Sequence, residues 1–326
     1  MKQSSSAQPL VTVIVTVFNE EKTIVGLLEA LQKQTYQPSQ VIIVDGGSTD
    51  RTLSCIKSVV SSFPVLVRTQ KGNRSIGRNT ACQLAETELI ACTDAGCLPE
   101  PKWLTELVNA WQVQQKPVIA GYYAQVVTTP FSEASAAYTL VQPNNVQAER
   151  FLPATRSLLF TKAAWQRVGG FNEALSDTED YAFAHALMKK NIPIGFCGTA
   201  VVQWFPRVTL TSFVYMIFRF ARGDIYSGIV RPKVILIFLR YLFGAVLIVA
   251  GFLQHVTRAT LFFAVFVLGV YSVWAIKKNY KAAPRGWYWL PILQVTSDWA
   301  VMVGSLVGCG KLIANRLTHR RDATVK

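Results

Sequence analysis

The chain has 326 residues, enough for one sizeable domain and something smaller. Its formal net charge is +14, but the excess is local: residues 231–326 carry thirteen Lys or Arg against two Asp or Glu, a net of +11, which leaves +3 for residues 1–230. That basic third is also the most apolar part, so it points to a membrane surface and argues against nucleic acid, which wants basic and aromatic side chains on a soluble face.

Residues 1–9, MKQSSSAQP, read as a flexible tail without the apolar segment of a signal peptide. The apolar run Leu10–Val17 predicts a strand that breaks into Phe18-Asn19-Glu20-Glu21. One helix length follows, Glu20–Gln34, and then a second strand, Val41–Val44, breaks into Asp45-Gly46-Gly47-Ser48-Thr49-Asp50. Further strands are predicted over Val65–Thr69, Leu89–Thr93 and Val118–Tyr123, with helices over Thr52–Ser61, Ser75–Glu86 and Pro101–Gln115. This alternation describes an α/β domain with a mostly parallel sheet covered on both faces, whose strands need not alternate in polarity. In such a sheet ligands bind at the carboxyl ends of the strands, where this chain sets acidic turns.

Residues 124–205 are less regular, with helical stretches near Ser132–Gln142 and Thr178–Lys190 around a Gly169-Gly170 turn. Residues 208–230 have the composition of an amphipathic helix in a membrane interface and carry Arg219 and Arg222. Three long apolar stretches follow: Val234–Leu253 interrupted by Arg240, Ala259–Ile276 without charge, and Leu290–Cys309 containing Asp298. About 20 apolar residues span a bilayer. The basic loop Lys277, Lys278, Lys281, Arg285 and the basic tail Arg316, Arg320, Arg321 both belong on the cytoplasmic side. Three full spans from a cytosolic domain would put the tail outside, so one stretch is interfacial or re-entrant. The expected organisation is a tail (1–9), a catalytic domain (10–207) on the cytoplasmic side, an interface helix (208–230), a membrane region of two to three helices (231–313) and a basic tail (314–326). Six scattered cysteines without a CxxC pair suit a reduced cytosolic face.

Several constellations carry chemistry. Phe18 can stack on a base and Glu20 can accept from base or ribose donors, while Asn19 can equally cap the next helix. Asp45 ends its strand where a base- or ribose-binding acid would sit, and Gly46 allows close backbone approach; Ser48, Thr49 and Asp50 are natural helix-start residues. The loop from Lys71 to Asn79 opens a helix with Arg74 and Arg78, a combination that favours a diphosphate and also suits a solvated basic loop. Asp94 ends the strand LIACT, where a carboxylate can hold Mg²⁺ or Mn²⁺ together with phosphate oxygens. Glu179 and Asp180 open a helix, where acids are favourable in any case, and an acid there can also act as general base.

These pieces resemble the family-2 glycosyltransferases, inverting enzymes with the GT-A (Rossmann-like) fold. The matching segments are VTVIVTVFNEEKTI, VIIVDGGSTDRT, RSIGRNTA, TDAGCLPEPKW, VGGFNEALSDTEDYAFAHAL and the Trp204 stretch ending FRFARGD, in the family's order over roughly residues 9–225. The resemblance implies that Phe18, Asn19, Glu20, Asp45 and Gly46 bind the nucleoside of a UDP- or GDP-sugar. Arg74 and Arg78 would face the diphosphate, Asp94 would hold a divalent cation, Asp180 would be the catalytic base, and Glu179 would orient it or hold the acceptor. Trp204, Arg219 and Arg222 would lie on the side of a membrane-associated, lipid-linked acceptor. Two departures stand out: the second acid of the family's Asp-x-Asp motif is Gly96, and the Gln-x-x-Arg-Trp motif of processive members is missing, which favours transfer of a single sugar. The rival readings are a non-catalytic nucleotide-sugar-binding scaffold, a processive polysaccharide synthase and a nucleotidyltransferase. The last would want a Gly- and Lys-rich loop where this chain has FNEE.

Overall fold

The structure, a computed structural model, describes residues 8–253 and 257–324. Most of the tail expected over residues 1–9 therefore lies outside the described residues. In chain order the elements are β1 (Val11–Val17), α1 (Ile24–Gln32), β2 (Gln40–Asp45), α2 (Thr52–Ser58), β3 (Val65–Thr69), α3 (Arg74–Leu84), β4 (Leu89–Cys92), β5 (Cys97–Pro99), α4 (Trp103–Gln114) and β6 (Val118–Gln125). They continue with α5 (Pro130–Thr139), β7 (Leu158–Thr161), α6 (Lys162–Arg167), α7 (Glu179–Lys189), β8 (Ile194–Trp204), α8 (Leu210–Tyr226), α9 (Pro232–Leu253), α10 (Thr257–Asn279) and α11 (Leu290–Thr324). The chain divides into two units, residues 1–126 with 146–205, and residues 127–145 with 206–326.

In the first unit the apolar runs become strands buried on both faces. β1 sends Val11, Val13, Val15 and Val17 into one core layer and Ile14 into the other, the period of two that a strand imposes. The first layer is closed by Ile24, Leu27, Leu28 and Leu31 of α1, at i, i+3, i+4 and i+7, and by Trp103, Leu104 and Leu107 of α4. Ala81 and Cys82 of α3, Trp165 of α6, and Phe183 and Leu187 of α7 close the second.

The strand order is β3-β2-β1-β4-β7-β6-β8-β5. β1, β2, β3 and β4 are mutually parallel, but β7 runs antiparallel to β4 and β6, and β5 runs antiparallel to β8. The sheet is thus mostly parallel, as expected, with β7 and β5 as its antiparallel strands. The connection from β6 to β7 runs through residues 126–157, whose helix α5 belongs to the second unit, and β7 pairs antiparallel with both neighbours. Because β7 opposes both neighbours, β6 and β8 again point the same way as β4. The carboxyl ends of β1, β2, β4, β6 and β8 therefore share one edge, together with the start of β7.

In the second unit α5 is tied to the segment before α11. Glu133 accepts from the backbone N–H groups of Arg285 at 2.8 Å and Gly286 at 2.9 Å, and the Tyr138 hydroxyl donates to the Leu290 carbonyl at 2.8 Å. The amphipathic stretch expected over 208–230 is α8, capped by the Thr209 hydroxyl. The three apolar stretches are α9, α10 and the first part of α11, and all three are long and apolar enough to cross a membrane. The backbone of the basic tail continues α11 to Thr324, while its Arg316, Arg320 and Arg321 side chains lie outside the described residues.

Trp103 is fully buried, and its indole N–H donates to the Ser157 hydroxyl at 2.9 Å, which donates in turn to the Ala200 carbonyl at 2.9 Å. Trp103→Ala should lower unfolding stability of the detergent-solubilised full chain by about 3–5 kcal/mol, read by denaturant titration.

Candidate active site

The two acidic turns clamp each other. Asn19 sits in the left-handed region at φ 56°, and its side-chain oxygen accepts from the Thr49 N–H at 2.8 Å, while its own N–H donates to the Ser48 hydroxyl at 2.9 Å. The N–H groups of Glu20 and Glu21 donate to Thr52 Oγ1 at 2.7 Å and Asp50 Oδ2 at 3.2 Å. Asn19 therefore does not cap α1, which begins later at Ile24 with no side-chain cap; it locks the β1 turn onto the β2 turn. Asp45, almost fully buried, accepts from the backbone N–H groups of Gly47 and Ser48 at 3.1–3.2 Å. A Cβ on Gly46 would approach the Gly72 carbonyl at 3.2 Å. The Glu20 carboxylate accepts from the Thr23 hydroxyl at 2.6 Å. Phe18 keeps 59% of its surface exposed at this edge, leaving a ring face open to stacking.

α3 presses close to β1, since a Cβ on Gly77 would lie 2.8 Å from Thr16 Cγ2. That approach carries Arg78 inward, where only 2% of its side chain is exposed. Its two terminal nitrogens donate to Asp94 Oδ1 at 2.9 Å and Glu179 Oε1 at 2.6 Å, and its guanidinium lies 5.6 Å from the Phe171 ring centroid. Two of its five N–H groups thus meet carboxylates, the partners that a buried cation needs, while its buried Nε has no hydrogen-bond partner. Arg74, at the first position of α3, stays exposed. Asn79, next to Arg78, anchors the loop leading to α7. It donates to the Phe171 carbonyl and Glu173 Oε1, both at 2.8 Å, and accepts from the Phe171 N–H at 2.8 Å and the Trp165 indole at 3.1 Å.

Sequence reasoning missed Arg156. Its guanidinium lies 5.0 Å from the ring centroids of both Tyr123 and Trp204, so two aromatic faces hold it. Trp204 thus serves in this unit as one wall of an arginine slot. Only the fold brings Tyr123 at β6, Arg156 before β7 and Trp204 at the end of β8 to one edge, and no local motif announces the trio. Arg219 and Arg222, the other expected acceptor-side residues, belong to α8 in the second unit. There they stack on Tyr215 and Phe218 at 5.8 and 5.5 Å.

The electrostatics divide the two aspartates. Burial would raise Asp94, but the guanidinium groups of Arg78, Arg156 and Arg74 outweigh it and hold the carboxyl below its ordinary value. Asp180 moves the other way, lifted by burial and by the adjacent Glu179 carboxyl against the pull of Arg156 and Arg78. One edge therefore holds a carboxylate kept charged among arginines and a second that takes a proton more readily.

The donor set does not fit a divalent cation held by the protein. Asp94 Oδ1 is engaged by Arg78, the neighbouring guanidinium groups repel a cation, and Gly96 stands where a second acid would be. Burial pushes the nearby Cys92 and Cys97 thiols up to about 12, so neither supplies a thiolate. Among the described residues no group of three or more His, Cys, Asp or Glu side chains could hold a metal ion.

Comparison with known proteins gives a consistent picture. The sequence profile described as "Glycosyl transferase family 2" matches residues 12–174. The chain is similar to glycosyltransferase AglE of Haloferax volcanii, 30% identical over 110 residues, 32% of this chain and 36% of that protein. It thus spans about a third of that relative's length. It is 24% identical over 263 residues to the 4,4'-diaponeurosporenoate glycosyltransferase of Staphylococcus aureus, covering 74% of this chain and 68% of that one. Among solved structures, the mannosyltransferase PcManGT from Pyrobaculum calidifontis, in complex with GDP-Man and Mn²⁺, superimposes with a TM-score of 0.55 at 18% identity over 94% of this chain and 88% of that one. That likeness is one of fold.

Arg78→Met removes the cation and leaves the buried Glu179 carboxylate unpaired beside the partly exposed Asp94, so it should destabilise the full chain by about 3–5 kcal/mol. Asp94 is held below its ordinary value, so its stabilising share is complete above the ordinary carboxylate range and is lost as pH falls through the lower folded value. The deficit of the variant, read by denaturation across pH, should narrow below about pH 4.

Proposed function

The chain belongs to glycosyl transferase family 2, and from that premise we propose that it transfers a single sugar, with inversion, from a nucleotide-sugar to a membrane-associated, lipid-linked acceptor. It has the GT-A fold: a mostly parallel sheet flanked by helices, followed by apolar C-terminal helices. The observation that carries the mechanism is the divided pair of aspartates, Asp94 held anionic and Asp180 lifted toward proton uptake, along one arginine-rich edge.

In this reading Phe18 stacks on the base of the donor, and Glu20 with the Asp45–Gly46 turn holds the base and ribose. GDP-Man is the donor named for the Pyrobaculum calidifontis structure of this fold. Asp180 takes the acceptor hydroxyl proton as the acceptor oxygen forms its bond to the anomeric carbon. The bond from that carbon to the β-phosphate oxygen breaks, and its electron pair leaves with the nucleoside diphosphate. Attack opposite the leaving group inverts the centre. Glu179, held by Arg78, fixes Asp180 at the start of α7.

The charge that builds on the departing diphosphate needs a fixed positive partner. A divalent cation of the kind in the Pyrobaculum complex would find one carboxylate here, Asp94, already paired with Arg78. Arg156, packed against the rings of Tyr123 and Trp204, and Arg74 at the start of α3 are the cations available instead. Residues 10–207 then form the transferase domain on the cytoplasmic side. Residues 208–230 form an interface helix, residues 231–313 hold the chain in the membrane, and residues 314–326 form a basic tail. Support for a lipid-linked acceptor is the exposed apolar surface of α9 and α10 and the two arginines of α8.

Membranes containing the full chain, offered a panel of UDP- and GDP-sugars, should yield a lipid heavier by one sugar on mass spectrometry; a ladder of products would overturn the single-sugar reading. Asp180→Asn should lower transfer by about 10²–10⁴-fold with donor binding retained, and wild-type rates would remove Asp180 from its role. Arg156→Met keeps the apolar stem and loses the charge, so kcat should drop by roughly 10²-fold, and EDTA should leave the wild-type rate unchanged. At Gly96 an added Cβ meets nothing within 4 Å, so Gly96→Asp should fold and gain Mn²⁺ binding by calorimetry over the wild type.

A further inference from the structure

We infer that α11 lies along the membrane boundary and does not cross it, so that its two ends stay on the same side as the basic segment from Lys277 to Arg285. This concerns the second unit alone and stands independently of the transfer chemistry.

The first observation is coverage. In α9 and α10 the apolar windows are 0% and 6% buried, whereas in α11 the window is 50% buried. α9 and α10 present apolar side chains outward all round, as lipid-facing spans do. α11 instead is covered by protein along one side.

The second observation is what covers it. Gly304 and Gly308, one turn apart, bring α11 against the backbone of α8. A Cβ on Gly304 would lie 2.5 Å from the Phe218 carbonyl, and one on Gly308 would lie 2.7 Å from the Arg222 carbonyl. The contact advances along both helices together, so they run side by side in the same direction. α8 carries Arg219 and Arg222, and its buried Asp224 pairs with Arg231 just before α9. A helix with that charge does not follow a partner through hydrocarbon. On the side away from Gly308, α11 exposes Ile292, Trp299, Leu306 and Ile313, each seven residues from the next. This is an apolar stripe of about 30 Å, fitted to lie on the acyl boundary with α8 behind it.

The third observation is where α11 meets α9 and α10. Asp298, 2% exposed, accepts from Arg240 at 2.7 Å, Gln294 at 3.0 Å, Tyr241 at 3.3 Å and the Tyr271 hydroxyl. Arg240 lies about 12 Å along α9 from its start, and Tyr271 a similar distance before the end of α10. The α9–α10 pair packs closely at its other end, where a Cβ on Gly251 would meet Thr260. α11 thus touches the pair near its open end. Lys278, at the tip of α10, reaches Gln294 at 3.4 Å and stacks on Tyr138 and Trp274. From Gln294 the helix passes Asp298 and returns beside the end of α8, which leads directly into α9. Both of its ends therefore stay at the open end of the pair, beside Lys277 and Lys278. Charge agrees: a crossing α11 would send Arg316, Arg320 and Arg321 to the side opposite the basic loop, while a helix lying flat keeps all of these cations together.

The test uses the full chain with one epitope at each terminus, in sealed inverted and right-side-out vesicles exposed to protease. Before α9 no helix among the described residues is long and apolar enough to cross a membrane, so the N-terminal epitope reports the side on which α9 begins. Both epitopes should be cleaved in one vesicle orientation and both protected in the other. Cleavage of the two epitopes in opposite orientations would overturn the inference.

Discussion

A single buried guanidinium organises the catalytic unit. Arg78 has no access to water, so its charge is tolerable only because Asp94 and Glu179 meet it from opposite sides. Those carboxylates arrive from separate parts of the chain, one after β4 and the other at the head of α7. The ion triad therefore ties the edge after β4 to the head of α7, the two places where the proposed reaction puts the donor and the base. Removing such a partner costs far more than adding one contributes, because a bare buried charge remains. The triad acts chiefly as a specifier of geometry. Asn79, one residue along the same helix, fastens the loop before α7, so α3 governs both halves of the site.

That constraint explains the character of the pocket edge. With Asp94 Oδ1 directed at Arg78, and Arg156 and Arg74 adding positive charge, the edge is built to receive an anion. Burial first, and then the adjacent Glu179 carboxyl, raise the affinity of Asp180 for a proton despite the arginines nearby. In the proposed reaction one cluster would supply both a fixed cation for the leaving group and a base for the entering one.

The sequence announces some of this openly. β1, β2 and β4 are continuous apolar runs closed by acidic or polar turns, so their edge and its residues are legible before any coordinates. α8 and the apolar stretches are equally plain from composition. β7 and β8 are not. β7 is four residues inside an irregular region, and β8 contains Gly195 and Gly198, which read as turns, with a register shift opposite Gly121 and Tyr122. Missing them hides the antiparallel insertion, and with it the slot that packs Arg156 against Tyr123 and Trp204. The commitment of Arg78 to the interior was hidden for a related reason. A motif gives residue type and spacing, whereas burial depends on how closely Gly77 lets α3 approach β1.

An arginine packed against two aromatic rings cannot leave with a product. A metal ion can depart as part of a nucleotide complex, softening the separation of charges. In the proposed reaction the spent nucleoside diphosphate would have to pull away from cations that stay in place. Turnover in such a site would be governed by the escape of the nucleotide as much as by the bond exchange. Its pace would follow ionic strength and whatever reaction nearby removes free nucleoside diphosphate.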